Sequence, residues 1–269
     1  MTFLEQIGRP LILWAEDAGT LTLQLGAALW RLPRVLPVIG NRRRWASTLE
    51  QVLAIGTRAL PMACTMSLCI GFVLALQGAA ELRRFGGVSF VVNLVAVAFT
   101  RELGALVTAI AVSGRSASAI SAEVGSMVVT EEMDALRVMG LNPVEFTLAP
   151  RYLGALIAVP CLTIVSTICG IFAGYLFLAV SIDMSFRIYW HAVFEAILVR
   201  DISLTLIKSV VFATIIVQVG YLEGLRVSGG PDAVGRATTT AVVKSTFLVI
   251  VADLAATWFF YVMGWSASG

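Results

Sequence analysis

Leu60 to Ala80 is a run of 21 residues without one charged side chain. A hydrocarbon core about 30 Å thick takes roughly 20 apolar residues of α-helix to cross. Backbone N–H and C=O groups find no water there, so a spanning chain is a helix or a closed barrel. Barrel strands need only about 10 residues, so a run of this length reads as a helix. The pattern recurs, and spans are predicted over about 58–80, 88–114, within 152–182, 202–223 and 240–263. The third run has 31 residues free of charge, about 46 Å as a helix, so it must tilt or turn before its end. Charged residues make up only 13% of the chain, against about 25% in soluble domains. The expected fold is an all-α integral membrane protein. It has an N-terminal amphipathic interfacial helix, five transmembrane helices, and a short cytoplasmic helix between the second and third.

Residues 1–46 form the interfacial region and 47–269 the five-span domain. Leu11, Trp14, Ala18, Leu21, Leu25, Ala28 and Leu32 recur at helical spacing with Glu16, Asp17, Thr20 and Gln24 between them, the pattern of a helix lying in the membrane surface. Pro33 and Pro37 end it, and Arg42-Arg43-Arg44 suits anionic headgroups. Ser47-Thr48-Leu49-Glu50 reads as a capping box that starts the next helix, and Pro61 is expected to kink it. With the N-terminus inside, inner segments carry 12 arginines and outer loops 4, so the positive-inside bias places the N-terminus in the cytoplasm and the C-terminus across the membrane. Gly170-Ile-Phe-Ala-Gly174 and the series Gly114, Ser118, Ala122, Ser126 are small-residue faces. Either suits internal packing or a dimer seam.

Against this apolar background the intramembrane charges stand out. The second span is broken in its middle by the adjacent pair Arg101-Glu102, and the fourth and fifth contain Lys208 and Asp253. A charge at a helix centre costs about 2.5–3.5 kcal/mol even on lenient insertion scales, so such residues face a bundle interior or a cavity. Lys208 and Asp253 are predicted to form a buried structural pair. Arg101-Glu102 reads either as an ion pair clamping helices or as polar groups at a site. Cys64, Cys69, Cys161 and Cys169 all fall inside predicted spans and make no CxxC motif, as expected of small buried hydrophobes. The single histidine, His191, speaks against a histidine metal site, and a net charge of +2 gives no reason to expect nucleic acid.

The inner loop after span two carries a short helix over about 130–141. Thr130 is its expected N-cap, Glu131, Glu132 and Asp134 load the first turn, and Gly140 ends it. Met133, Leu136 and Met139 form an apolar edge beside Arg137. The helix is a solvated connector or a docking helix for a cytoplasmic partner. The second inner loop, Gly224 to Thr240, contains Gly230-Pro-Asp-Ala-Val-Gly-Arg236, an outline of a phosphate loop. It lacks the lysine and Ser/Thr that reach phosphate and magnesium. No ATP site is expected in this chain.

Ser121-Ala-Glu-Val-Gly-Ser-Met127 followed by Glu131-Glu-Met-Asp-Ala-Leu-Arg-Val-Met-Gly-Leu-Asn-Pro143 resembles the signature of the MlaE (YrbE-type) permeases. These are membrane subunits of ABC transporters that work with MCE-domain proteins. Thr100-Arg-Glu-Leu-Gly104, Ile207-Lys-Ser-Val-Val-Phe-Ala213 and Ser228-Gly-Gly-Pro-Asp-Ala-Val-Gly-Arg-Ala-Thr-Thr239 extend the resemblance over about residues 50–260. It implies a homodimer in a bacterial inner membrane with a phospholipid cavity between the subunits. Glu102, Arg101, Leu74, Leu82 and Phe85 would line that cavity. The segment with Glu131, Glu132, Met133, Asp134, Leu136, Arg137 and Met139 would be the coupling helix on a cytoplasmic ABC ATPase that binds the ATP. A periplasmic MCE protein would exchange lipid with the permease, and a STAS-type subunit often joins the ATPase. No cofactor or catalytic residue is expected in the permease itself. The rival from another class is a stand-alone ion-coupled secondary transporter or channel using Arg101, Glu102, Lys208 and Asp253. The absence of repeats and of broken helix pairs in the sequence counts against it.

Overall fold

The computed structural model describes residues 42–82, Gly87 and 90–264. Among these described residues seven helices follow one another: α1 Arg42–Leu82, α2 Phe90–Val129, α3 Glu132–Val138, α4 Pro143–Ile182, α5 Phe186–Ala196, α6 Val199–Leu225 and α7 Pro231–Val262. Five of them (α1, α2, α4, α6 and α7) are long and apolar enough to cross a membrane. The expected surface helix over 1–46 lies outside the described residues, except that 42–46 already belong to α1. Ser47–Glu50 therefore sits within α1 instead of starting it, because no helix breaker separates it from Arg42-Arg43-Arg44-Trp45-Ala46. Pro61 lies inside α1 without ending it.

Each span runs past its predicted bounds on at least one side, and packing explains the extension of the second. Span two was expected to stop at Gly114, yet α2 continues to Val129 because small residues bury its far half against α6. A Cβ on Gly220 would lie 2.8 Å from the Ala117 carbonyl oxygen, and one on Gly224 would lie 2.7 Å from Val124 Cβ. Pro143 supplies the pre-set φ of a first helical turn, so α4 runs unbroken from there as 40 residues. Pro231 opens α7 in the same way, and the expected inner loop at Gly224–Thr240 shrinks to a turn around Ser228–Gly230. No strand precedes this phosphate-loop outline, and most of it is the first turns of α7.

Between the third and fourth predicted spans lies α5, an amphipathic helix whose Tyr189 and Val193, one turn apart, are buried while His191 and Glu195 face out. The Tyr189 hydroxyl donates to the Ile171 carbonyl at 2.7 Å, which pins α5 to α4. Burial pushes the Tyr189 phenol above its usual pKa.

Two apolar clusters make the core. One joins the first half of α1 to the middle of α2, α4 and α6, with Ile55, Val112, Tyr152, Val159, Phe212 and Val217 at its centre. The other joins the end of α1 to the starts of α2 and α5 and the end of α4, around Val91, Val95, Phe99, Leu178 and Tyr189. The Gly170–Gly174 face serves this internal packing: Gly170 lies on the Phe99 ring, and a Cβ on Gly174 would meet Tyr189 Oη at 2.8 Å. Nothing lies within 4 Å of a Cβ built on Gly114, so the second small-residue series begins in open space.

Candidate functional site

Residues Phe99–Leu103, the segment carrying both charges of span two, form a π-helical turn. Such a turn inserts an extra residue and is frequent at functional sites. The Gly104 N–H reaches back to the Phe99 carbonyl, and the Thr205 hydroxyl of α6 donates to the neighbouring Thr100 carbonyl. The widened turn aims its two adjacent charged side chains at different partners. Arg101 Nε meets Asp201 Oδ1 at 2.9 Å, at the start of α6. Glu102 instead forms an ion pair with Lys208, in the middle of α6. Arg101 and Glu102 thus clamp α2 to α6 through these partners.

Lys208 is the centre of a three-helix cluster. Its ammonium donates to the Glu102 carboxylate, to Asp253 Oδ1 at 3.0 Å and to Thr257 Oγ1 at 2.8 Å. Thr257, one turn beyond Asp253 on α7, lies 3.1 and 3.2 Å from the two Glu102 oxygens. Lys208 and Asp253 are in contact, but they form two members of a larger group. Two carboxylates flank one ammonium, which leaves formal charge −1 when all three are ionised. Exposure is uneven: the Lys208 side chain is 2% exposed, Asp253 14% and Glu102 37%. Glu102 is the member that a molecule outside the bundle would touch.

Neither Asp201 nor Thr257 stood out in the sequence. Asp201 lies outside the predicted span, which began at 202, and threonine is common in membrane helices. Their signal was spacing alone: Asp253 and Thr257 share a helix face at i, i+4, as do Asp201 and Thr205. Leu74 and Leu82 are half-buried and pack against the apolar cluster that contains Phe99; the polar contacts above involve neither. Phe85 lies outside the described residues.

The α3 segment is turned differently from expectation. Thr130 does not cap it, because its hydroxyl bonds back to the Ser126 carbonyl at 3.0 Å and so closes α2. Glu131 takes the N-cap position with φ 59°, in the left-handed region. Gly140, at φ 73°, ends the helix with a Leu141 N–H to Leu136 carbonyl bond of 3.0 Å, as glycine permits. The apolar edge is split. Met133 and Leu136 are buried, while Val138 is 90% and Met139 64% exposed. Glu131, Glu132, Asp134 and Arg137 face out, the last two paired at 2.6 Å. The helix is thus anchored on one side and offers an apolar tip with charged flanks on the other.

Comparison with known proteins matches residues 48–259 to the model of the family described as permease MlaE. A probable ABC transporter permease protein of Rickettsia prowazekii is 34% identical over 258 residues, covering 95% of this chain and 96% of that one. A protein of the same description from Synechocystis is 30% identical over 226 residues, 84% of this chain and 86% of the relative. The Arabidopsis thaliana chloroplastic protein Trigalactosyldiacylglycerol 1 is 33% identical over 227 residues, 84% of this chain and 65% of its own.

Proposed function

The chain belongs to the MlaE permease family, and from that membership we propose that it is the membrane half of an ATP-driven lipid transporter. It is a multi-pass permease, and the description of its relatives as ABC transporter permeases implies an ATPase on another chain. The finer reading is that it moves phospholipid or a similar lipid between a bacterial inner membrane and a periplasmic MCE-domain protein, maintaining outer-membrane lipid asymmetry. It would work as a homodimer with its N-terminus in the cytoplasm, and a STAS-type subunit could join the ATPase.

One observation carries this reading: Glu102 is an accessible carboxylate held at mid-span by Lys208 and Thr257. A lipid cavity needs apolar walls with a few convergent polar groups, and the Glu102 oxygens supply the polar part. Support also comes from α7, whose most apolar window is only 11% buried, leaving a face for a second copy of the chain beside the cluster. Val138 and Met139 on α3 suit a groove on the ATPase. The Arabidopsis relative is named after a galactolipid, which fits a lipid cargo.

The test is purification in mild detergent followed by mass spectrometry of everything that travels with the chain. An ATPase, an MCE-domain protein and bound lipid together support the proposal. A stable oligomer without an ATPase at any detergent strength contradicts it and favours an ion-coupled carrier.

A further inference from the structure

A second π-helical turn, Ser113–Ala117, interrupts α2. It opens onto a cleft of about 560 Å³ between α2 and the first half of α1, lined by Arg58, Arg115, Gln51, Ser118, Ile55 and Met62 among others. We infer that this cleft binds the phosphate of a membrane lipid between Arg58 and Arg115, in the leaflet on the α3 side.

Three observations support the assignment. First, depth: Arg58 is the last charge before the charge-free run 59–80, and Arg115 is the first charge after the charge-free run 103–114. Both guanidinium groups therefore stand where hydrocarbon gives way to headgroups, on the end of the bundle that carries α3. Second, charge: neither guanidinium has a hydrogen bond or ion pair with a described residue. Among the described residues the one carboxylate on the cleft wall, Glu123, is engaged by Arg151 at 2.8 Å. The cleft thus holds two positive charges that no described residue compensates. Third, shape: the Ser118 hydroxyl turns back onto the Gly114 and Arg115 carbonyls at 2.9 and 2.8 Å, and Gly114 has no neighbour above it. The wall is therefore recessed where the π-turn widens α2. Met62 on the rim is 46% exposed, an apolar surface for an acyl chain.

Two guanidinium forks can each give paired N–H donors to one phosphate, the geometry arginine offers and lysine does not. A lone snorkelling arginine would meet headgroups without selecting one. Two arginines on different helices around one recess define a site. The inference rests on the chain's membrane position and not on lipid transport.

The experiment places the photoreactive residue p-benzoylphenylalanine at Ala119, an exposed position on the cleft wall. The purified protein is cross-linked in detergent to phosphatidylglycerol or to diacylglycerol, which lacks the phosphate. Phosphatidylglycerol is expected to cross-link about tenfold better. The Arg58→Gln/Arg115→Gln variant should lose about tenfold, the scale of one charge-assisted contact, and Arg58→Lys/Arg115→Lys should recover part of it. Size-exclusion profiles matching the wild type establish that the variants are folded. Equal cross-linking of the two lipids, or no loss in the glutamine variant, overturns the inference. Protection by inorganic phosphate, with phosphatidylglycerol no better than diacylglycerol, assigns these arginines to a soluble phosphate and overturns the lipid assignment.

Discussion

The two π-helical turns of α2 carry charge in opposite ways. At Phe99–Leu103, Arg101 and Glu102 are met by Asp201, Lys208 and Thr257 from α6 and α7. At Ser113–Ala117, Arg115 faces a recess in which Glu123 is the one negative residue among those described, and Glu123 is taken by Arg151. Depth accounts for the contrast. A charge surrounded by hydrocarbon must find its counter-charge inside the protein, whereas one at headgroup level is solvated and can stay available. The first turn builds a saturated cluster with one accessible edge, Glu102. The second builds an open basin.

The largest loss is expected at Lys208. Lys208→Met leaves the Glu102 and Asp253 carboxylates facing one another without a cation, and removing one partner from a buried ion pair costs about 3–5 kcal/mol. The expected outcome is loss of most folded protein, read by fluorescence-detected size exclusion after heating. Partial recovery is expected when Glu102→Gln and Asp253→Asn are added. Asp253→Leu alone should be milder than Lys208→Met, because Lys208 keeps Glu102. Wild-type stability for Lys208→Met would mean the cluster does not hold these helices.

Glycines beside the two turns sharpen the contrast at smaller scale. A Cβ on Gly104 would overlap Thr167 Oγ1 and lie 2.8 Å from the Phe99 carbonyl oxygen, whereas one on Gly114 meets nothing within 4 Å. Gly104→Ala should therefore destabilise by about 1–3 kcal/mol, the range of overpacking. Gly114→Ala should be neutral, or stabilise by up to about 1 kcal/mol through helix propensity. Thermal melting of the two variants in one detergent decides it, and similar melting points would erase the distinction. The smallest effect belongs to Glu123→Gln. The Glu123 side chain is 53% exposed, so losing its bridge to Arg151 should cost no more than about 1 kcal/mol. The same change removes the only carboxylate on the cleft wall among the described residues, so anionic lipid should cross-link at Ala119 at least as well as before.

The five spans were legible because apolar length is a one-dimensional signal. Their ends were not: Ala117, Gly220 and Gly224 extend α2 and α6 by letting backbones approach, and that depends on which helices meet. The intramembrane charges were legible individually, since Glu102, Lys208 and Asp253 interrupt apolar runs. Their partners were not. Adjacent residues on a helix do not face each other, and the π-turn that redirects Arg101 and Glu102 leaves no mark in composition. Helix α5 was missed because Tyr189 and Val193, its two buried residues, are too few to stand out between two spans. On α3, Met133 and Met139 are alike in type and opposite in burial, because Met139 is the C-cap beyond the last helical residue and sits about 120° round the helix from Met133.

Glu102 is the accessible edge of the cluster and is proposed to meet the transported lipid. The direct measurement is ATP-driven transfer of labelled phospholipid by the chain reconstituted with its ATPase, comparing wild type with Glu102→Gln. The substitution keeps the side chain's shape and leaves Lys208 its contact with Asp253 at 3.0 Å, so the complex should assemble and hydrolyse ATP. Lipid transfer is expected to fall about tenfold or more, the scale of one charge-assisted contact. Transfer at the wild-type rate by an assembled Glu102→Gln complex would contradict it.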